Sequence, residues 1–391
     1  MLLASTHLRS SPVIKDIEVL RAFAILMTIF HHRVWLIIES RSRVIDNYFT
    51  FWGGVDLFFV ISGFVIGKGL LKSWRQAADT HDFSVEIVSF WIRRIWRIWP
   101  TSWFWMLVPL VLSLITHAGL WGDFVANLTT VAAIMSCTQN IQAFLWEHGE
   151  AVRGSQAYGT YWSLSLEEQF YILFPLALGF LNRKNLPIAL VVGIAVQLFL
   201  PREVWSFLYA VRFDALLWGV LIALSLDYPL VRKRLDPVFL EGRGWKACLC
   251  TATILLVSAA IAAGHFVPFF LGMIGLFSAI LVLFASYDKS YILPEGRIKR
   301  VMLWIGSRSY AIYMTHMPCY YFTREIWAHI APVGAHLDGK FAIPLVLTAL
   351  PMIVLFSELN FRFIETPLRR HGATLAKCFR ETRLQKNDLA T

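Results

Sequence analysis

Ile17-Glu18-Val19-Leu20-Arg21-Ala22-Phe23-Ala24-Ile25-Leu26-Met27-Thr28-Ile29-Phe30-His31-His32 is apolar enough to enter a bilayer, yet it carries an arginine and ends on two histidines. Arg21 and His32 are 11 positions apart, so on an α-helix they share one face about 16 Å apart in depth. Ionisable groups inside membrane helices are costly and line polar pathways or sites. Asp56, Glu167, Asp214 and His316 repeat the pattern in later apolar stretches. So many buried charges point to chemistry or transport within a membrane.

Composition agrees. Of 391 residues, 57% are hydrophobic and only 16% charged, where soluble domains carry roughly a quarter. The 16 Trp and 12 Tyr suit an interfacial aromatic belt. The net charge of +10 does not point to nucleic acid, because Lys and Arg sit mainly in short loops between apolar spans, as inside-facing loops require. Five cysteines are scattered, with Cys248 and Cys250 too close for paired metal ligands, so neither a metal nor a structural disulfide is expected. Arg21 interrupts the first apolar run and no cleavage site stands out, so the first span is expected to be retained.

Stretches near the ~20 residues that span a bilayer occur at about 17–38, 51–71, 98–118, 162–181, 186–202, 207–226, 247–264, 266–286, 301–323 and 341–364. A further stretch, 124–146, is diluted by Thr129, Thr130, Ser136, Thr138, Gln139, Asn140 and Gln142. Basic clusters at 68–94, 183–184, 232–234, 289–300 and 369–380 all fall on the N-terminal side if 124–146 does not span. If it spans alone, the later loops invert and the positive-inside rule fails. The expectation is therefore an all-α polytopic membrane protein of about ten helices with both ends cytoplasmic. One membrane domain covers 1–367, with a short polar tail at 368–391.

This topology sorts residues by depth. His32, Asp56, Glu167, Arg212, Asp214 and His316 fall toward the outer side, with His316 about 22 Å along an outward-running span. Arg21, Arg94 and Arg97 lie toward the cytoplasm, the last two at i,i+3 on one helical face. Outer acid/base groups and inner cations suit a polyanionic donor entering from the cytoplasm and a hydroxyl acceptor reached from outside.

Several pieces occur in a set order: Leu20-Arg21-Ala22 with His32, Gly53-Gly54-Val55-Asp56-Leu57-Phe58-Phe59-Val60-Ile61-Ser62-Gly63-Phe64, and Arg93-Arg94-Ile95-Trp96-Arg97. Trp162-Ser163-Leu164-Ser165-Leu166-Glu167-Glu168-Gln169-Phe170-Tyr171, Arg212-Phe213-Asp214, Tyr310-Ala311-Ile312-Tyr313-Met314-Thr315-His316 and Phe361-Arg362-Phe363-Ile364-Glu365-Thr366-Pro367 follow. In this order the chain resembles the acyltransferase-3 family of bacterial membrane O-acyltransferases over nearly its whole length. The resemblance implies transfer of an acyl group, foremost acetyl from acetyl-coenzyme A, to a sugar hydroxyl of a cell-surface glycan or glycolipid, in the bacterial inner membrane and among its lipids. The chain ends before the hydrolase-like domain of some relatives, so the stand-alone form is expected.

With that resemblance, His32 is the candidate general base, or itself the acyl acceptor, since imidazole titrates near neutrality. His31 adjoins it, and Glu168 adjoins Glu167, so each pair offers two candidates for one role. Glu167 and Asp56 join His32 as catalytic candidates, Asp56 either orienting His32 or pairing with an arginine. Arg21, Arg94 and Arg97 are candidates for holding coenzyme A, arginine being suited to bidentate phosphate contact; Arg21 also has Glu18 at i−3 as a simple partner. Ser163, Tyr313, His316 and Asp214 are candidate substrate-lining residues. Ser165-x-x-Glu168 reads as a helix capping box, and Glu365-Thr366-Pro367 as a helix stop held by Arg362. A transporter is the competing class, but no pair of equivalent interrupted spans suggests an inverted repeat.

Overall fold

Helix α1 (Lys15–His31) starts with Asp16 and Glu18 at its positive dipole end and passes into a 3-10 turn, His32–Trp35. The computed structural model describes residues 13–37, 51–77, 80–115, 119–150, 152–241, 269–332, 337 and 339–388; the span expected at 247–264 and Cys248 and Cys250 lie outside them. Every regular element among the described residues is helical. Four helical stretches are long and apolar enough to cross a membrane: Gly53–Gln76, Asp82–Ile115, Phe207–Leu226 and Gly339–Arg383.

Helix α2 (Gly53–Gln76) is the centre of the bundle, with 72% of its apolar window buried inside the protein against 22% for the window in Gly339–Arg383. The latter turns Ile343, Leu347, Leu350 and Val354 outward, a face suited to lipid rather than water. Helices α3 (Thr80–Ile115), α4 (Phe124–Met135), α5 (Gln139–Glu147), α6 (Tyr161–Phe180), α7 (Leu186–Phe199), α8 (Phe207–Ala210) and α9 (Asp214–Leu226) follow. Backbones of α2 and α9 touch at two glycines. A Cβ on Gly63 would fall 2.0 Å from the Leu216 carbonyl oxygen, and one on Gly219 2.1 Å from that of Val60. Small residues permit such approaches where no hydrophobic drive separates helix from lipid.

Segment 124–146 forms no single span. Helices α4 and α5 have 12 and 9 residues, about 18 and 14 Å against a ~30 Å hydrocarbon core. The turn between them holds Cys137 at φ 57°. Beyond α9 come α10 (Pro229–Leu235), α11 (Phe270–Ala285), α12 (Arg297–Ser307), α13 (Ser309–Ile330), α14 (Ala342–Asn360) and α15 (Thr366–Asp388).

The expected span 301–323 is broken between α12 and α13. Arg308 turns aside to Glu358 at 2.5 Å, and Gly306 packs so tightly on the Glu18 carbonyl that a Cβ would lie 1.9 Å from it. His316 is therefore about 11 Å into α13, not about 22 Å along one unbroken helix. The expected stop at Glu365-Thr366-Pro367 is also corrected. Phe361–Glu365 forms a π-turn and the chain continues as α15; the wider turn accommodates a proline that cannot donate. Glu365 faces Arg369 at 3.7 Å, while Arg362 binds Glu358. The short polar tail expected from 368 packs along α3, where the Ser89 hydroxyl donates to the Ala376 carbonyl at 3.2 Å and Arg380 meets Glu86.

All five basic segments meet at one end of the bundle. Arg75 binds Asp227 at 2.6 Å, and Arg183 donates to the Arg75 carbonyl at 3.2 Å. Lys289 binds Asp236 at 2.8 Å, Lys299 binds Asp16 at 3.0 Å, and the Ser73 hydroxyl donates to Glu86 beside Arg380 at 3.2 Å.

Candidate active site

Two chambers lie inside the bundle and share a wall, Val55 of α2 and Tyr313 of α13. One, about 370 Å³, is lined by His31, His32, Trp162, Tyr209 and Arg212. The other, about 90 Å³, is lined by Arg21, Arg94, Arg97, Ser62, Glu167 and Tyr171. Arg21, near the basic end of α1, and His32, past its far end, thus open onto different chambers.

In the histidine chamber, His32 Nδ1 lies 2.9 Å from His316 Nε2. His316 Nδ1 lies 3.2 Å from the Ile312 carbonyl oxygen, which only accepts. In the neutral rings, this assigns the proton of His316 to Nδ1 and leaves its Nε2 as acceptor. His32 Nδ1 must then donate, and the lone pair of His32 resides on Nε2. His316 is fully buried and stands behind His32; it is not among the residues lining the chamber, contrary to expectation. His31 lies edge-on to Trp52, ring centres 5.3 Å apart.

In the arginine chamber, Arg21 binds Glu18 at 3.1 Å, the i−3 partner foreseen for it. The Arg94 guanidinium sits over the rings of Phe90 and Tyr171, at 5.3 and 5.2 Å. Among the described residues, neither Arg94 nor Arg97 forms an ion pair. Glu167 accepts hydrogen bonds from the Ser62 and Tyr171 hydroxyls. Its neighbour Glu168 instead accepts from the Trp99 indole at 3.0 Å. The capping box does not form, because α6 begins at Tyr161 and the Ser165 hydroxyl oxygen takes the Gln139 N–H at 3.3 Å. Where the chambers meet, the Tyr313 hydroxyl donates to the Thr160 carbonyl at 2.9 Å and lies 2.6 Å from the Ser163 hydroxyl.

Two candidate aspartates pair with arginines, which for Asp56 is one of its two expected readings. Asp56 forms a fork with Arg212, 3.3 Å on each arm, and does not reach His32. Asp214 does the same with Arg202 at 2.8 and 2.7 Å. Neither aspartate lines a chamber. Arg212 takes their place at the histidine chamber, its guanidinium 4.0 Å from the centre of the Tyr209 ring and 4.9 Å from that of Trp162. Ser62 and Tyr171 were not among the expected site residues; the i,i+4 spacing of Glu167 and Tyr171 was the available signal.

The profile of an acyltransferase domain matches residues 14–357. The chain is 27% identical to peptidoglycan O-acetyltransferase OatA of Listeria monocytogenes serovar 1/2a, over 93% of this chain and 57% of that protein. It is 24% identical to O-acetyltransferase OatA of Staphylococcus aureus, over 90% and 57%. The chain thus spans 57% of the length of these relatives. No solved structure matches it.

Proposed function

The chain belongs to the acyltransferase-3 family, and on that premise we propose that it is a bacterial inner-membrane enzyme that transfers acetyl from acetyl-coenzyme A to a hydroxyl of a cell-surface glycan. Ten spans with both ends cytoplasmic complete the reading. The names of its relatives favour peptidoglycan as that glycan.

The observation that carries the proposal is the common wall, Val55 and Tyr313, between a chamber lined by His32 and a chamber lined by Arg94 and Arg97, which form no ion pair among the described residues. Arg94 and Arg97 suit a phosphate-bearing donor, because a guanidinium pairs with phosphate through two parallel N–H bonds. Coenzyme A supplies the acyl group as a thioester. Glu167, fixed by two hydroxyls, sets a negative charge among the cations and keeps the approach polar.

Where the two chambers adjoin at Val55 and Tyr313, the acceptor oxygen attacks the thioester carbonyl as His32 Nε2 takes the hydroxyl proton. The carbon–sulfur bond breaks, the sugar ester forms, and the proton passes to the departing thiolate. His316 holds the His32 ring in the tautomer this requires. The test is incubation of membranes containing the protein with radiolabelled acetyl-coenzyme A. Label bound covalently to glycan is expected; movement of substrate across the membrane without covalent transfer would replace the enzyme by a transporter.

A further inference from the structure

We propose that Arg324 forms an anion subsite that holds a carboxylate or phosphate of the acceptor glycan beside the sugar being acylated. The proposal rests on reading the histidine chamber as the acceptor side. That chamber continues into a groove of about 610 Å³, and Trp35, Trp146, Gly154, Ser155 and Gln156 line both. The two indoles offer flat apolar faces suited to the C–H face of a pyranose ring. Arg324 lines the groove from α13, eight residues beyond His316 and so about 12 Å along the helix from the histidine pair.

Three observations give Arg324 a ligand to hold. It is half-buried, its Nη1 donates to the Trp35 carbonyl at the long distance of 3.5 Å, and its Nε has no hydrogen-bond partner among the described residues. It forms no ion pair among the described residues, while the carboxylate lining the same groove, Asp123, already faces Arg153 at 3.6 Å. The neighbouring Glu325 faces His329 at 3.4 Å, and Glu147 lines the histidine chamber rather than the groove. A partly desolvated guanidinium without a counter-charge among the described residues is costly. It also stands at the end of the bundle opposite the five basic segments, where no positive-inside rule explains it. A planar fork there suits bidentate contact with an oxyanion.

The test measures binding by quenching of tryptophan fluorescence in the detergent-solubilised full chain. Three probes share one backbone length: chitotetraose; a tetrasaccharide of alternating N-acetylglucosamine and N-acetylmuramic acid with free carboxylates; and chitotetraose carrying a phosphate monoester. The wild type is expected to bind an anionic probe about tenfold more tightly than chitotetraose, and Arg324→Gln to abolish that preference while chitotetraose affinity is unchanged. Whichever anionic probe gains identifies carboxylate or phosphate as the source. Equal binding of all three probes by the wild type, or a preference that survives Arg324→Gln, overturns the subsite. If Arg324→Gln loses chitotetraose as well, Arg324→Lys decides: a weakened but surviving preference supports the subsite, and binding without preference removes it. Anion preference without acetyl transfer would remove the enzymatic reading and leave the subsite; acetyl transfer with equal affinities would do the reverse.

Discussion

His32 Nδ1 and His316 Nε2 are 2.9 Å apart, although 284 residues separate them in the chain. Because His316 Nδ1 is directed to the Ile312 carbonyl, one ring orients the other, and only His32 opens on the chamber. His32→Ala is expected to lower acetyl transfer at least about 10²-fold, the usual scale of general-base loss. His316→Ala should cost less, and His31→Ala should leave most activity. Turnover assays on equal amounts of inserted protein check the order; near-normal His32→Ala would remove the assignment.

The arginine chamber makes a prediction about the donor. Replacing Arg94 and Arg97 together with Lys keeps the charge but loses the planar fork and the stacking of Arg94 on Tyr171. Loss of one charge-assisted contact costs about 1.5–3 kcal/mol. Coenzyme A affinity should fall about ten- to a hundredfold in equilibrium binding, and unchanged affinity would return both residues to simple anchoring.

Tyr313 stands in the wall between the chambers, tied to Ser163 and Thr160. Tyr313→Ala opens that wall to water. The ratio of acetyl-coenzyme A hydrolysis to glycan acetylation is expected to rise severalfold, read by following free acetate and glycan-bound label together. A fall in both rates with a constant ratio would reduce Tyr313 to packing.

Asp214 is expected to be structural. Its partner Arg202 is buried, with side-chain exposures of 1% and 3% for the pair, so Asp214→Asn strands a charge. Breaking such a pair costs about 3–5 kcal/mol. The yield of folded protein and its melting temperature should drop while the activity per folded molecule holds, and Arg202→Met with Asp214→Leu should recover stability. An active-site role would show as lost activity in folded protein.

Topology can be read by cysteine labelling from each side on a background without the native cysteines. Asn182 is exposed beside Arg183 and should react from the cytoplasm. On the opposite side Gly149 has φ 71°, a strained position for a side chain, so the exposed Glu150 is the better site and should react from outside. Labelling of Asn182 from outside would overturn the ten-span reading.

Much of the site is legible because it is local. The i,i+3 pair Arg94 and Arg97 and the spacing of Ser163 and Glu167 all reach one chamber, since one helix carries each pair on one face. The partnership of Arg21 with Glu18 follows from the same three-residue spacing. Where expectation and structure part, the reason is a contact between helices. A contact between helices also decides between the two readings of Asp56, since Arg212 lies 156 residues away and helical periodicity says nothing about which of several buried cations a carboxylate will meet.

By itself the sequence determined that this is a helical membrane protein of the acyltransferase-3 family, because apolar length and ordered motifs are properties of the chain alone. Only the tertiary structure decided that Asp56 and Asp214 bind arginines, that His316 stands behind His32, and that the helix breaks at Arg308 but runs on through Pro367. Each of these is set by packing. A buried charge takes the nearest partner that desolvation allows, and that partner exists only once α2 has closed on α9, α1 on α13 and α15 on α3.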